Sequence, residues 1–448
     1  MNGIHTVIPR RCDVVVIGGG PAGSATAGHL AKLGYEVVLF DKARHPRPQV
    51  GESIIPHVWR QLDHLGATSK IVDEGFLPKA GGIVVWGDQI NLMRFTDFGY
   101  AARGGLHVER DRFDEILLRH AASLGAAIFE NVIVRSVDLS DESAPTVAYE
   151  DRRGSAEMGA EGAITEGTVT AKYVVDASGP GAFLARQFNS RRFVKSDLKF
   201  LGLWGYYTGA RYFGADGNSY PAERCREISP VTFVTSFDDG WMWHILLRNE
   251  CSVGFVMNTD RTKGMNKQQQ EEYFRGTCAN IPYLRDLLAP ATFVEGSMSF
   301  RPDYSYYNER FVGSGFLCVG DAAAFVDPIF SQGVLTALFH GSLASWAIDG
   351  VLRNRARKAF FLGMYERRVL QYYGFSRLLA FGDFGGEGID AALVADLVKS
   401  LPRNELELSF AASYSTMRSQ NLRRMVTDAG IDDAMLEAKG HALDRLTP

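Results

Sequence analysis

The start of the chain alternates apolar runs with a run of glycines and a helix of small residues. Val14–Ile17 is wholly apolar, and residues 18–23 then read Gly-Gly-Gly-Pro-Ala-Gly. Small residues at helical spacing continue to Leu33, and a second apolar run at 37–40 ends on Asp41. Short apolar runs bounded by glycine are typical of strands buried in a parallel sheet. The pattern therefore predicts a strand, a tight turn, a helix and a second strand.

The glycines of this turn have the spacing of a dinucleotide-binding fingerprint. Gly18 permits the tight turn, Gly20 lets a pyrophosphate approach the backbone, and Gly23 lets the helix pack closely on the sheet. Free N–H groups at the helix start face the phosphates, and Asp41 stands where an acidic residue binds a ribose hydroxyl. We therefore predict a dinucleotide site with contacts at Gly18, Gly20, Pro21, Ala22, Gly23, Asp41 and Lys42.

The hydropathy pattern changes twice more along the chain. A buried strand at 172–177 ends in a turn, whereas aromatic and β-branched residues alternate with polar ones through much of 200–300. That alternation predicts a mostly antiparallel sheet with one covered face. The apolar run at 316–320 again has the pattern of a buried parallel strand, like Val14–Ile17, and is followed by Asp321 and a predicted helix. We predict an α/β chain with a Rossmann-like βαβ domain at 1–185 and 301–352, an inserted β-sheet substrate domain at 186–300, and a helical C-terminal region at 353–448.

Composition and charge restrict the classes of function. The 448 residues are 46% hydrophobic with a net charge of −4, and no long lysine/arginine block is present, so no nucleic-acid partner is expected. The five cysteines are odd in number and widely spaced, which favours neither a disulfide framework nor a metal site. No secretory core or run of bilayer length is evident. We expect a cytoplasmic enzyme without a membrane partner.

Three further short motifs follow the glycine turn along the chain. They are Gly51-Glu52-Ser53, Asp176-Ala177-Ser178-Gly179 and Gly320-Asp321. With them the chain resembles the hydroxylase-like FAD-binding proteins, whose dinucleotide domain is of the glutathione-reductase type. The resemblance implies FAD contacts at Glu52, Ser53, Arg110, Asp176, Gly320 and Asp321. A second dinucleotide fingerprint is missing, so a separate flavin reductase is expected to supply reduced flavin.

Three more stretches resemble those of the flavin-dependent halogenases. Residues 76–81 match the family's Phe-x-x-Lys-x-Gly element, with Lys79 at the catalytic lysine. Residues 241–246 resemble Trp-x-Trp-x-Ile-Pro, except that Leu246 replaces proline. Residues 325–333 fit the pattern Phe-x-x-Pro-x-x-Ser-x-Gly. Together the motifs extend over about three quarters of the chain and leave the last quarter unassigned.

The resemblance assigns roles to these residues. In the family, reduced flavin, dioxygen and a halide ion yield hypohalous acid, which passes through a tunnel to the lysine beside the substrate. Backbone N–H groups at Gln332 and Gly333 are suited to the halide, and Pro328 and Gly333 lie beside the flavin. The resemblance implies that Trp241 and Trp243 keep substrate away from the flavin, and we expect substrate or tunnel contacts at Trp241, Trp243, Phe330 and Ser331.

The substrate class is predicted from Phe330. Family members that act on free tryptophan carry a glutamate at this position, which can steady a cationic intermediate. An aromatic side chain here indicates a phenol- or pyrrole-type ring, activated by its own heteroatom. Some relatives act on substrates tethered to a carrier protein, but the cluster of Arg353, Arg355, Arg357 and Lys358 is more typical of a solvated helix face.

Other functions remain open from the sequence. An aromatic monooxygenase is supported by Leu246 and opposed by Lys79. A flavin-dependent saturase of the prenyl-reductase type would share the Gly-Glu-Ser turn but has no use for Lys79. A non-enzymatic flavin sensor leaves both the lysine and the paired tryptophans unexplained. Halide dependence of the reaction separates these hypotheses.

Overall fold

The structure is a computed structural model that describes residues 7–154, 164–193, 200–302, 304–385 and 389–447. Its strands are β1 (Val14–Ile17), β2 (Val37–Asp41), β3 (Ser53–Ile54), β4 (Leu77–Lys79), β5 (Gly81–Trp86), β6 (Gln89–Arg94), β7 (Gly105–His107), β8 (Ala127–Glu130), β9 (Val132–Asp138), β10 (Thr146–Asp151), β11 (Thr165–Thr170), β12 (Tyr173–Asp176), β13 (Arg191–Phe193), β14 (Phe200–Thr208), β15 (Tyr212–Phe213), β16 (Ser219–Tyr220), β17 (Thr232–Phe237), β18 (Gly240–Leu246), β19 (Cys251–Asn258), β20 (Thr292–Phe293), β21 (Ser299–Pro302), β22 (Tyr306–Asn308), β23 (Val312–Gly313), β24 (Phe316–Cys318), β25 (Ala324–Phe325) and β26 (Gly440–Ala442).

The helices alternate with these strands in the first third of the chain and dominate its last quarter. They are α1 (Pro21–Lys32), α2 (Val58–Leu65), α3 (Thr68–Glu74), α4 (Arg110–Ser123), α5 (Phe183–Gln187), α6 (Lys267–Asn280), α7 (Pro282–Leu288), α8 (Gly333–Arg353), α9 (Lys358–Phe381), α10 (Ala391–Val398), α11 (Arg403–Tyr414), α12 (Gln420–Asp428) and α13 (Asp433–Lys439).

The first domain is built on a six-stranded sheet of order β23-β24-β12-β1-β2-β8. Every pair except β23–β24 is parallel. All four residues of β1 are buried, as expected for a central strand covered on both faces. The carboxyl ends of β1, β2 and β12 therefore lie together, and they bring Ile17, Asp41 and Asp176 to one edge of the sheet.

The glycine turn between β1 and α1 needs its glycines for two different reasons. Gly18 has φ +108°, and an added Cβ atom would clash with the carbonyl of Ala177. At Gly23 an added Cβ would clash with the carbonyl of Gly18, because the helix lies directly against the turn. Left-handed backbone and close approach both favour glycine. The strand, turn, helix and strand predicted from the sequence are confirmed.

The second unit is a nine-stranded sheet of order β20-β14-β19-β18-β17-β5-β6-β26, with β21 also paired to β14. Its pairs are antiparallel except for β17 with β5, so the mostly antiparallel prediction is confirmed. Strands β5, β6 and β26 lie outside the range 186–300 predicted for this unit. These strands join the sheet because β5 pairs with the free edge of β17. The two strands are far apart in sequence, so local hydropathy does not show that they pair. The domain boundaries stay a prediction.

The C-terminal helices cover one face of the large sheet. Apolar residues of α9 to α12, including Phe375 and Phe410, share one buried cluster with Trp241, Trp243 and Val256 of the sheet. Helix α8 belongs instead to the first domain, where it packs along α1. By length and composition α8 could cross a membrane, but 61% of its apolar window is buried inside the protein, as in other core helices.

Candidate functional site

A cavity of about 750 Å³ lies between the first domain and the large sheet, a size within the usual range of small-molecule and cofactor sites. The glycine turn, the β3 region, the start of α8 and strand β18 all contribute to its wall. Of the residues predicted for the site, those that line it are Gly18, Gly20, Pro21, Ala22, Asp41, Lys42, Glu52, Ser53, Arg110, Trp241, Trp243, Asp321, Pro328, Ser331 and Gly333.

Asp41 fixes the glycine turn and also faces the cavity. Its Oδ2 accepts a hydrogen bond from the N–H of Gly19 at 2.7 Å, and its Oδ1 accepts one from Ala43 at 2.8 Å. A carboxylate oxygen has a second lone pair, so each remains able to accept from a ribose hydroxyl. The Nε of Arg47 lies 3.8 Å from Oδ2.

Two arginines stand beside the glycine turn. Arg110 donates to Asp114 through Nε at 2.8 Å and through Nη2 at 3.1 Å, and its Nη1 donates to the carbonyl of Val50 at 2.9 Å. Arg47 also lines the cavity, with Nη1 3.7 Å from Asp114. Two guanidinium groups at a cavity wall, one of them held by hydrogen bonds, suit the negative charge of a pyrophosphate. Sequence analysis missed Arg47, since a single arginine in a proline-rich loop carries no motif.

Asp321 supplies a carboxylate that needs a hydroxyl partner. It follows β24 in a short turn and lines the cavity, and among the described residues its side chain accepts no hydrogen bond. Burial raises its pKa to about 6, against the lowering effect of Arg301 and Arg110. A sugar or ribityl hydroxyl donating to this oxygen would replace the lost water. The residues present therefore fit FAD.

Three predicted cofactor residues shape the site from behind the cavity wall. Asp176 accepts hydrogen bonds from the backbone N–H of Ser178 at 3.0 Å and of Leu184 at 2.7 Å, which holds the turn after β12. Gly320 has φ +58° and packs against α1 and α8. Gly23 forms the close contact of turn and helix described above. None of the three lines the cavity.

The Lys79 side chain is buried and lies outside the cavity lining. Only 5% of the residue is exposed, and its Nζ donates a 2.8 Å hydrogen bond to Ser53 Oγ. The ring of Phe95 lies below it, with its centroid 5.4 Å from Nζ. Burial lowers the pKa of Lys79 to about 7. A large fraction of the amine is therefore neutral near neutral pH, in contrast to a solvated lysine.

Three hydroxyl groups separate Lys79 from the cavity. Ser53, Thr232 and Ser331 all line the cavity wall. Ser331 Oγ donates to Ser53 Oγ at 3.0 Å, and Ser53 Oγ lies 2.9 Å from Thr232 Oγ1. This cluster, which we call the hydroxyl wall, joins β3, β17 and the turn before α8. Sequence analysis missed Thr232, because its approach to Ser53 depends on a contact 179 residues apart in sequence.

The predicted halide turn lies at the start of α8. Ser331 adopts φ +56°, and Gln332 precedes the helix, with its Oε1 accepting from Ser376 Oγ at 3.1 Å. Gly333 lines the main cavity and also a second one of about 40 Å³ on the side of α9, whereas Phe330 and Gln332 line only the second. The turn is thus beside the main cavity, but Phe330 and Gln332 are not part of its lining.

The paired tryptophans of β18 point to the same side of the sheet, as their spacing requires. Both line the cavity, and their ring centroids are 6.0 Å apart. Trp243 Nε1 donates to Ser252 Oγ at 3.1 Å, which fixes its indole ring. Leu246, at the end of the strand, is buried in a different apolar cluster. The pair forms a rigid aromatic wall on the large-sheet side of the cavity.

Burial of Lys79 makes the protein's stability depend on pH. The pKa falls from 10.5 in the unfolded chain to about 7 in the fold, so between these values the unfolded state binds the extra proton and stability rises with pH. We expect Lys79→Met to stabilise the protein at about pH 6, on the order of 4 kcal/mol at about 1.4 kcal/mol per pKa unit, and much less at about pH 10. Thermal unfolding at both pH values measures this.

The matched control for that experiment is Lys399→Met, because Lys399 is exposed. It should change the midpoint of unfolding little at either pH. An effect of Lys79→Met that is the same at both pH values would contradict the lowered pKa.

Comparison with known proteins agrees with this site. A family model described as an FAD binding domain matches residues 11–204. The solved structure of the myxobacterial chondrochloren halogenase CndH, a variant of FAD-dependent halogenases, superposes with a TM-score of 0.74 and 28% identity, covering 92% of this chain and 99% of that one. The flavin-dependent halogenase CmlS gives 0.72 and 25%, covering 97% and 77%. Fold and cavity thus define an FAD-binding protein of the hydroxylase-like type.

Sequence relatives narrow the class. Flavin-dependent halogenase armH3 of Armillaria mellea is 33% identical over 384 residues, which are 82% of this chain and 73% of that protein. Tryptophan 2-halogenase of Chondromyces crocatus is 32% identical over 364 residues, 80% of this chain and 65% of that protein. The chain belongs to the flavin-dependent halogenases. It is an enzyme that uses FAD to halogenate an aromatic substrate and needs a supply of reduced flavin.

Proposed function

We propose that this halogenase places chlorine or bromine on an electron-rich phenol- or pyrrole-type ring, and that Lys79 hands the halogen to it. The observation that carries the proposal is the buried Lys79 amine behind the hydroxyl wall. FAD, when bound and reduced, supplies the oxidation of halide to hypohalous acid with dioxygen. The lysine lies behind the wall and outside the cofactor cavity, so in this proposal the acid must pass the three hydroxyl groups to reach it.

Two actions are available to the Lys79 amine. As an ammonium or amine it donates a hydrogen bond to hypohalous acid, which makes the halogen more electrophilic. As a neutral amine, favoured by the pKa of about 7, it attacks the halogen: an N–halogen bond forms, the O–halogen bond breaks, and the leaving hydroxide takes an amine proton as water. Both actions require that no carboxylate forms an ion pair with Lys79. Among the described residues, none does.

The proposed substrate class rests on Phe330. Its side chain packs in the apolar cluster shared with the C-terminal helices. Because the residue is phenylalanine, it offers no carboxylate to stabilise a cationic intermediate. A phenol or pyrrole delocalises that charge onto its own heteroatom. The similarity to a tryptophan halogenase makes free tryptophan the natural competing substrate.

A substrate panel tests the proposed class. With chloride or bromide and reduced flavin, we expect halogenated products from phenols and pyrroles, and at least about tenfold less from free tryptophan, equal to a barrier difference of about 1.4 kcal/mol. Mass spectra of the products, recorded with and without halide, provide the measurement. Oxygenated product that forms equally well without halide would instead favour the monooxygenase hypothesis.

The halide, reductase and location complete the proposal. Backbone N–H groups at Gln332 and Gly333, at the positive end of α8, would hold the halide beside the cavity. A separate flavin reductase would supply diffusing reduced flavin, the substrate would be free or carrier-bound, and the enzyme would act in the cytoplasm. The support for the reductase is the single dinucleotide fingerprint in the sequence.

The need for a reductase is directly measurable. The isolated protein should oxidise NADH or NADPH only slowly. Adding a flavin reductase should raise product formation by about 10²-fold or more, equal to about 2.7 kcal/mol in the apparent barrier, because no hypohalous acid forms without reduced flavin. Stopped-flow absorbance of the pyridine nucleotide and the flavin gives both rates. Rapid NADPH turnover by the isolated chain would contradict the proposal.

A further inference from the structure

Four buried side chains form one hydrogen-bonded chain from Lys79 to His107. Lys79 Nζ lies 2.8 Å from Ser53 Oγ, and Ser53 Oγ lies 2.9 Å from Thr232 Oγ1. Thr232 Oγ1 lies 2.9 Å from His107 Nε2. The four residues come from β4, β3, β17 and β7, and His107 is fully buried at 0% exposure. The chain therefore links the lysine to a histidine that no proposed step has used.

Donor and acceptor capacities limit the directions that these hydrogen bonds can take. A hydroxyl has one proton and two lone pairs. Lys79 and Ser331 both donate to Ser53 Oγ, so its lone pairs are used and its proton goes to Thr232. Thr232 Oγ1 keeps a second lone pair, so the direction of its bond to His107 Nε2 depends on the tautomer of the histidine. We assign the tautomer with the proton on Nδ1, in which Thr232 donates to Nε2.

We propose that His107 is a positioning residue for halogen transfer: through Thr232 it fixes the hydroxyl chain in one direction, so that Ser53 can only accept from Lys79. This inference rests on the proposed role of Lys79. It assigns to Thr232 and His107 a part in the reaction although, among the described hydrogen bonds, neither is bonded directly to the lysine.

His107 is suited to this task because its ring stays neutral. Burial holds its pKa well below the usual 6.5, and the charge on Lys79 lowers it further. His244 is the other titratable group that acts on the ring, in the same direction, while the backbone of Leu246 opposes it. With its one proton on Nδ1, a neutral imidazole keeps a lone pair on Nε2 over the working pH range, and in this tautomer it is the acceptor at the end of the chain.

The direction of the chain decides what happens to the Lys79 lone pair. With its proton committed to Thr232, Ser53 cannot donate to the neutral amine, and the lone pair stays available to the halogen. If Thr232 lost its hydroxyl, the Ser53 proton could turn onto the amine. That bond would occupy the lone pair and favour the neutral form, so transfer would slow while the pKa of Lys79 would fall.

The test compares variants that remove or keep the acceptor. Thr232→Val removes the hydroxyl at nearly the same volume, and Thr232→Ser keeps it. His107→Leu removes the ring nitrogen, and His107→Gln keeps a carbonyl acceptor. Each holoenzyme is supplied with reduced FAD, bromide and a phenol, and two readouts are taken: the ratio of brominated phenol to hypobromous acid caught by a diffusible trap, and the pH dependence of brominated phenol formation.

We expect Thr232→Val and His107→Leu to lower the product-to-trap ratio at least about tenfold, as for loss of a positioned group, and to move the pH midpoint downward. Thr232→Ser and His107→Gln should retain both values. A wild-type ratio and midpoint in Thr232→Val or His107→Leu overturns the inference. It is equally overturned if all four variants lose product together with FAD affinity, because that is the result of a structural role alone.

Lys79→Met, measured in parallel, separates this inference from the proposed function. If Lys79→Met abolishes product while Thr232→Val and His107→Leu leave the ratio and midpoint unchanged, only the role of His107 fails. If Lys79→Met makes product at the wild-type rate, the proposed function itself fails and the inference with it.

Discussion

Lys79→Ala should reduce halogenated product by at least about 10²-fold, the effect typical of losing a positioned catalytic group, while FAD affinity stays within about twofold. The physical reason is the position of the amine. It lies behind the hydroxyl wall and does not line the cavity, so removing it leaves the predicted cofactor contacts in place. Hypohalous acid should still form and should be recovered in a diffusible trap.

Two other substitutions separate charge, volume and chemistry at this position. Lys79→Met keeps most of the buried volume but has no amine, and it should be as inactive as the alanine variant. Lys79→Arg keeps a cation and hydrogen-bond donors, but a guanidinium does not become neutral at ordinary pH. Its larger head also enters a site closed by Ser53 and the ring of Phe95. We expect it to restore little activity.

The measurements are single-turnover product formation, FAD titration and trap halogenation for each variant, with Lys399→Met as the exposed-lysine control. Product at a near wild-type rate from Lys79→Ala would remove the assigned role. Loss of FAD binding in Lys79→Met would show that the lysine supports the cofactor site instead. Either result is distinct from general unfolding, which would also lower the midpoint of thermal unfolding.

The first domain could be predicted from sequence because its determinants are local. The apolar strand β1, the glycine turn and Asp41 lie within about thirty residues, and each position has a backbone or packing requirement that few other residues meet. The same locality explains why the cavity wall at Gly18, Gly20 and Asp41 was predicted residue by residue. There the glycine motif and the turn between β1 and α1 are the same residues.

The hydroxyl wall and the Lys79 environment could not be predicted in this way. A single lysine in a sequence is usually solvated; the motif at 76–81 marks Lys79 as a functional residue, but it does not show which side chains cover β4. The contacts that bury it come from Ser53 and Phe95, and the chain continues through Thr232 to His107. These residues are brought together only when β5 completes the edge of β17. Long-range strand pairing is therefore what sequence patterns missed.

The second large effect is expected at the glycine turn, where Gly20→Val should weaken FAD binding by about 10²-fold or more. Gly20 lines the cavity, and the atom nearest to an added Cβ is Arg47 Nη2 at 3.4 Å. The side chain therefore has room in the protein alone and would occupy the space where the pyrophosphate must approach. Overpacking typically costs about 1–3 kcal/mol, and the lost backbone hydrogen bonds add to it.

Two other glycines supply the comparison. Gly276 in α6 has open space around an added Cβ, so Gly276→Val should leave both stability and FAD affinity unchanged. Gly23→Val should unfold the turn itself, because the new side chain meets the Gly18 carbonyl. FAD fluorescence titration and thermal unfolding of the three variants decide the outcome. Loss of FAD binding with an unchanged unfolding midpoint, in Gly20→Val alone, is the result that places the pyrophosphate at this turn; unimpaired FAD uptake by that variant would place it elsewhere.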